Sequence, residues 1–233
     1  MGVDFSFLPF FDACKEQGLL EDPLLALGSL TIQESPEAIL ALAKEHEYRT
    51  LEKEKTVQSL MRDRYAIGSY FDCDLNAKAD LYMDLSKPLD PNLCGRFRTI
   101  LNGGTLEHIF DIRQALANVH DLTCVGGNII HLAPMTWIDH AYFNFNPLMF
   151  RAIAESNNYA LHIEAFHFVS PPTSGCDGKA KVHFIADGSG KRQADEMVPE
   201  ILNGSTLPAN VLYMVALRKH NKVDFKTPYD ILR

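Results

Sequence analysis

One unit constrains the fold more than any other, residues 97–120, FRTILNGGTLEHIFDIRQALANVH. An apolar run carrying Phe97, Ile100 and Leu101 gives way to Asn102-Gly103-Gly104. Apolar side chains then recur at Leu106, Ile109, Phe110, Leu116 and Val119, on one face of a helix. The unit reads as a buried strand, a small-residue turn and an amphipathic helix. Thr105 is placed to cap that helix, and Glu107 in its first turn is favoured by the helix dipole. His108 follows, and a histidine on a helix is more often a packed or surface residue than a catalyst.

The same alternation runs through the chain. DPLLALGSLTI is an apolar run of strand length between Pro23 and Gly28. ESPEAILALAKEHE begins a helix, with Ser35 as N-cap and Pro36 at the first helical position. LEKEKTVQSLMRDRY extends as a second helical stretch. YFDCD is a strand ending in acids, and a short strand follows around Leu81–Met83. VGGNIIHLAPM is a glycine turn and a strand, and PLMFRAIAESNNY a helix that stops at Asn157–Asn158. ALHIEAFHFV, KAKVHFIADG and NVLYMVALRKH are strands, with SPPTSGCDG a loop between the first two. The first eighteen residues form a helix rich in Phe. Strands separated by helices predict an α/β fold, a mainly parallel sheet covered on both faces, with an antiparallel edge hairpin at the end. No linker divides the chain, so one domain over 1–233 is expected. Such a sheet binds ligands at the carboxyl ends of its strands, which places Gly28, Asp72, Asn102 to Thr105 and Ala133 to Thr136 along one rim.

Charge and cysteine usage exclude several functions. The formal net charge is −8, which argues against a nucleic-acid partner and against attraction to anionic membranes. Five cysteines, at 14, 73, 94, 124 and 176, are odd in number and have no CxxC pair, so neither a disulfide framework nor a zinc site is expected. Reduced thiols in a cytoplasmic protein fit the pattern. The nine histidines show no metal-ligand spacing, and neither GxxxxGK[ST] nor GxSxG occurs.

Three stretches carry candidate chemistry. In YFDCDLNAKADLYMDL, Asp72, with Asp74 close behind, is placed to hold ribose hydroxyls and Asp84–Leu85 to meet an adenine edge; solvated loop acids are the plain alternative. Gly103 and Gly104 let backbone approach a ligand closely. HLAPMTWIDHAYFNFNP is a strand end followed by an aromatic loop, with Trp137, His140, Tyr142, Phe143 and Phe145. Aromatic faces suit a sulfonium cation, and an aromatic minicore is the competing reading. His140 is the best general base in this stretch.

Taken in order, these pieces resemble the class I S-adenosylmethionine (SAM)-dependent methyltransferases, from about Leu24 to Phe168. The resemblance rests on Ala79–Asp80 with Asp84–Leu85 and Pro88, then Gly104 to His108 (GTLEH), His131 with Pro134, and Asp139–His140 with Tyr142, Phe145 and Pro147. These suit a bacterial branch of that superfamily. It implies a seven-stranded Rossmann-like sheet and SAM as cofactor. It places Gly28 near the methionine end, Asp72 at the ribose, Asp84 and Leu85 at the adenine, and Asn102, Gly103 and Thr105 beneath the sulfonium. His140, Tyr142 and His108 are the catalytic candidates. Most members carry G-x-G-x-G after the first strand, whereas only Gly28 stands here, so the methionine carboxylate must be held differently. Residues 29–68 exceed a standard crossover, and helical elements within 1–20 and about 35–65 are expected to form a lid.

The resemblance leads first to a methyltransferase acting on a small molecule. Azetidine-2-carboxylate synthases, methyltransferase-like proteins that cyclise SAM and release methylthioadenosine, are a second reading. A non-catalytic SAM-binding or interaction module, in which the reduced glycine turn marks lost activity, is a third.

Overall fold

The computed structural model describes residues 2–169, 180–188, 201 and 208–229. The predicted loop SPPTSGCDG, with Cys176, lies outside them.

In chain order the elements begin with β1 (Gly2–Val3), α1 (Leu8–Glu16), β2 (Leu24–Leu27), β3 (Thr31–Ile32), α2 (Pro36–Glu45), α3 (Arg49–Glu54) and α4 (Val57–Tyr65). Then follow β4 (Tyr70–Asp74), β5 (Leu81–Tyr82), β6 (Phe97–Asn102), α5 (Ile112–Leu122), β7 (Thr123–Pro134), α6 (Pro147–Ser156), β8 (Tyr159–Val169), β9 (Ala180–Ala186) and β10 (Leu212–Lys219). The main sheet has the order β5-β4-β2-β6-β7-β10-β8-β9, and β1 pairs with β3 in a small separate sheet. The first five strands are mutually parallel. β10 runs antiparallel between β7 and β8, and β9 closes the edge antiparallel to β8. The expected α/β sheet and antiparallel edge are therefore present, with eight strands where seven were expected. The strand beyond the seven that the resemblance implies is β9, the run KAKVHFIADG read as a strand from the sequence, which pairs along β8.

Period-two alternation divides the strands between two cores. Leu24, Ala26, Leu101, Ile130, Leu132, Met214 and Ala216 face one, with Phe10, Phe11, Leu60 and Met61 from α1 and α4. Leu25, Leu27, Ile100, Ile129, Ala133, Tyr213 and Val215 face the other, with Leu116, Val119, Phe150 and Ile153 from α5 and α6. Helices cover both faces because every central strand has two apolar sides. The Phe-rich N-terminal helix, expected in a lid, lies in the first core with Phe10 and Phe11 fully buried. It is pinned to α4, where Arg64 donates from Nε and one terminal nitrogen to both carboxylate oxygens of Asp12, at 2.9 and 2.8 Å.

Two expected helices are divided differently. The stretch 51–65 breaks at Lys55, which takes left-handed backbone, and α4 restarts on a capping box in which Thr56 Oγ1 accepts from Ser59 N and Ser59 Oγ accepts from Thr56 N. The helix expected from Thr105 starts only at Ile112. Residues Leu106–His108 form a single 3-10 turn, and Asp111 caps α5 by accepting from Gln114 N at 3.1 Å. Thr105 makes no side-chain cap, and Phe110, expected on the apolar face, is 78% exposed. Asp111 is an N-cap type in its own right, and it wins the helix start.

Candidate active site

The sheet order reverses at β2: β4 and β5 lie to one side, β6 and β7 to the other. At such a point the loops leaving adjacent strands diverge and open a crevice. A cavity of about 310 Å³ occupies it, within the range of small-molecule sites. Gly28, Ser29 and Leu30 line it from the loop after β2, Asp74 and Leu75 from the end of β4, and Met83, Asp84 and Leu85 from beyond β5. Gly104, Thr105, His108 and Ile109 complete it from the turn after β6.

Tight local packing shapes the floor. Gly28 has φ +77°, and a Cβ there would stand 2.6 Å from Thr105 Oγ1. The Thr105 hydroxyl donates to Leu27 O at 2.5 Å, which ties the β6 turn to the end of β2. Asn102 is fully buried and its Oδ1 accepts from the backbone N–H groups of Thr105 and Leu106, at 2.9 and 3.2 Å. Its Nδ2 has no partner. Gly103 backs onto Leu30, whose Cδ1 would stand 2.8 Å from an added Cβ. Asn102 and Gly103 thus form the support behind the cavity, while Gly28 and Thr105 reach its surface.

The acids are arranged differently from the expectation. Asp74, the last residue of β4, lines the cavity; its Oδ2 accepts from Ser29 N at 3.1 Å and its Oδ1 from Asn76 N at 3.2 Å. Asp72 does not line it. Asp72 Oδ1 accepts from Asp80 N, and Asp80 Oδ2 accepts from Asp72 N, so these two acids clip β4 to the start of β5. Asp84 and Leu85 both line the cavity, and Asp84 Oδ1 accepts from Ser86 N and Ser86 Oγ, which holds its carboxyl below the usual range.

A polar cluster closes the end near the aromatic loop. Glu107 is fully buried, and neither carboxylate oxygen has a hydrogen-bond partner. Its burial pushes the carboxyl up to about 7. Glu107 faces inward because the chain makes a 3-10 turn here instead of beginning a helix. His140 Nε2 lies 3.8 Å from Glu107 Oε1 and has no other partner. The rings of His108 and His140 are 5.2 Å apart, and Trp137 stands edge-on to His140 at 5.0 Å. One potential ligand atom from each of Glu107, His108 and His140 falls within 4.8 Å of the other two. His108 lines both the main cavity and a shallower pocket formed with Asp139, His140, Ala141 and Tyr142. Tyr142 is 67% exposed, with its ring edge-on to Phe110. The backbone N–H groups of Tyr142 and Phe143 both donate to Glu107 O, at 3.1 and 3.3 Å, so the loop is docked on the turn.

Sequence reasoning singled out both histidines but explained Glu107 by the helix dipole, and it found no metal-ligand spacing. The grouping of Glu107 with His140 comes from two loops far apart in sequence, which no local spacing encodes. Asp74 was visible as the strand's terminal acid.

No protein-family model matches the chain, and no curated protein matches it. Among solved structures it is similar to a SAM-dependent methyltransferase from Archaeoglobus fulgidus, with 13% identity and a TM-score of 0.48 over 92% of this chain and 94% of that one. It is also similar to a SAM-dependent methyltransferase from Mesorhizobium loti, with 14% identity and a TM-score of 0.40 over 92% and 98% of the two chains. A Thermotoga maritima methyltransferase described as a possible histamine N-methyltransferase gives 10% identity and a TM-score of 0.42 over 91% and 96%.

Proposed function

We propose that this chain is a SAM-dependent enzyme acting on a small molecule, most simply a methyltransferase. The observation that carries the reading is the cavity at the reversal of the sheet order, with the carboxylates of Asp74 and Asp84 among its walls. The residues present suit the cofactor. Asp74 offers acceptors for a ribose diol and replaces Asp72 in that role. Asp84 offers an acceptor for an adenine amino group, and Leu30, Met83, Leu85 and Ile109 give a purine apolar walls. Among the described residues neither lysine nor arginine lines the cavity, so the methionine carboxylate would be met by backbone N–H groups of the loops after β2 and β6.

Bound SAM supplies an electrophilic methyl group on a sulfonium. The protein's part is to position an acceptor and take its proton. The pocket beyond His108 is the natural acceptor site, because it opens to solvent and shares His108 with the cofactor cavity. His140 is the base within reach of that pocket. Tyr142 at the outer rim is suited to contacting an acceptor.

Incubation of the protein with SAM alone, followed by mass spectrometry, separates the readings. Methyl transfer predicts that SAM binds and stays intact until an acceptor is added, when S-adenosylhomocysteine forms. Methylthioadenosine with a cyclic four-carbon amino acid, formed without acceptor, would replace methyl transfer by SAM cyclisation. Absence of SAM binding at millimolar concentration would remove both in favour of an interaction module.

A further inference from the structure

We infer that Glu107, His108 and His140 form a binding site for one divalent transition-metal ion of the zinc type, with open coordination positions facing the acceptor pocket. Two imidazoles and one carboxylate are a donor set that zinc and its first-row neighbours take, and three protein ligands leave room for an exogenous one. The geometry is close to that needed. Bonds of about 2.0–2.2 Å in a tetrahedral site put ligand atoms roughly 3.3–3.6 Å apart. The Glu107–His140 pair stands at 3.8 Å, and all three ligand atoms lie within 4.8 Å of one another. His108 is exposed and free to draw in.

A second, independent observation points to a ligand. Glu107 is 0% exposed, and both of its oxygens, like His140 Nε2, lack any hydrogen-bond partner. Buried polar atoms left in this state cost free energy that a fold does not ordinarily leave uncompensated. One cation satisfies the carboxylate and the imidazole together. The cluster is also built to persist: two N–H groups of the loop carrying His140 are bonded to the carbonyl of Glu107 itself.

Metal binding stands on these residues alone; only its use in methyl transfer rests on the SAM reading. With the ion in place, the imidazoles serve as ligands instead of bases, and an acceptor hydroxyl bound at an open position becomes more acidic.

The test uses the full chain, stripped with chelator, titrated with Zn(II) against a chromophoric competitor and with Co(II) by visible absorption. One equivalent of each is expected, with the intense d–d bands of four-coordinate Co(II). Glu107→Gln, His108→Ala and His140→Ala should each weaken Zn(II) at least about 100-fold, since even outer-shell partners of a metal site cost 10–100-fold. His46→Ala, at the end of α2, should leave it unchanged. His108 is exposed, so its variant keeps the fold and decides the matter if Glu107→Gln does not. Absence of saturable binding, or binding indifferent to all three substitutions, overturns the assignment. Zn(II) binding in a chain that fails to bind SAM would leave the site standing and remove the methyltransferase reading.

Discussion

Gly28→Ala tests the cavity floor quantitatively. At φ +77° an alanine pays the left-handed penalty of about 1–2 kcal/mol. Its Cβ would also stand 2.6 Å from Thr105 Oγ1, too close to coexist with the present rotamer. Thr105 must then turn away from Leu27 O, forfeiting a hydrogen bond worth about 0.5–1.5 kcal/mol net. Alanine gains back about 0.4–1 kcal/mol by restricting the unfolded chain. The expected net loss is about 0.5–3 kcal/mol, read by urea denaturation followed by circular dichroism. A double-mutant cycle isolates the contact. In a Thr105→Ala background the steric part vanishes and only the backbone part remains, so the coupling should be about 0.5–1.5 kcal/mol. An identical cost in both backgrounds would refute the close approach. A cost below about 0.5 kcal/mol in the parent would refute the backbone argument as well.

Two further outcomes follow from the acids and from a buried histidine. Asp74→Asn should weaken SAM binding roughly 10–100-fold by calorimetry, the worth of a charged hydrogen bond, while Asp72→Asn stays within about threefold; the reverse order would return the ribose site to Asp72. His131 is fully enclosed against Phe150, and burial lowers it to about 3, so below pH 6.5 the unfolded chain binds the proton that the folded one refuses. Stability should therefore fall as pH drops from about 6.5 towards 3, by roughly 2 kcal/mol between pH 7 and 5 from this residue. His131→Gln should remove that share in denaturation curves at the two pH values, and parallel losses in parent and variant would contradict it.

The strands were legible because each central one carries apolar residues on both faces, and the helix caps at Ser35 and Asn157–Asn158 could be read directly. The start of α5 was not. Leu106, Ile109 and Phe110 keep helical spacing, but Asp111 offers a competing cap four residues before Ala115, and the 3-10 turn uses Leu106 alone as its core anchor. That misreading hid the inward turn of Glu107. Asp72 and Asp74 share one face of β4, so alternation cannot separate them. Their division is made by partners: Asp80 claims the first, and the loop after β2 claims the second. Sequence pattern reports which face a residue occupies, and tertiary hydrogen bonds decide what it does there.

The position of β10 bears on how the chain acquires this shape during synthesis. β8 has no bond to β7; the two are joined only through β10, which pairs with both along its length. While the ribosome is still making residues before Leu212, the parallel half of the sheet therefore ends at an open edge on β7, and β8, paired with β9 on its other side, has no strand partner on its inner edge. Both exposed rims are apolar, at Ile130 and Leu132 on one and at Ile163 and Ala165 on the other. The nascent protein thus carries two unpaired sticky edges until its last described strand arrives, and slow or truncated synthesis in that interval exposes it to misassembly and to chaperone capture.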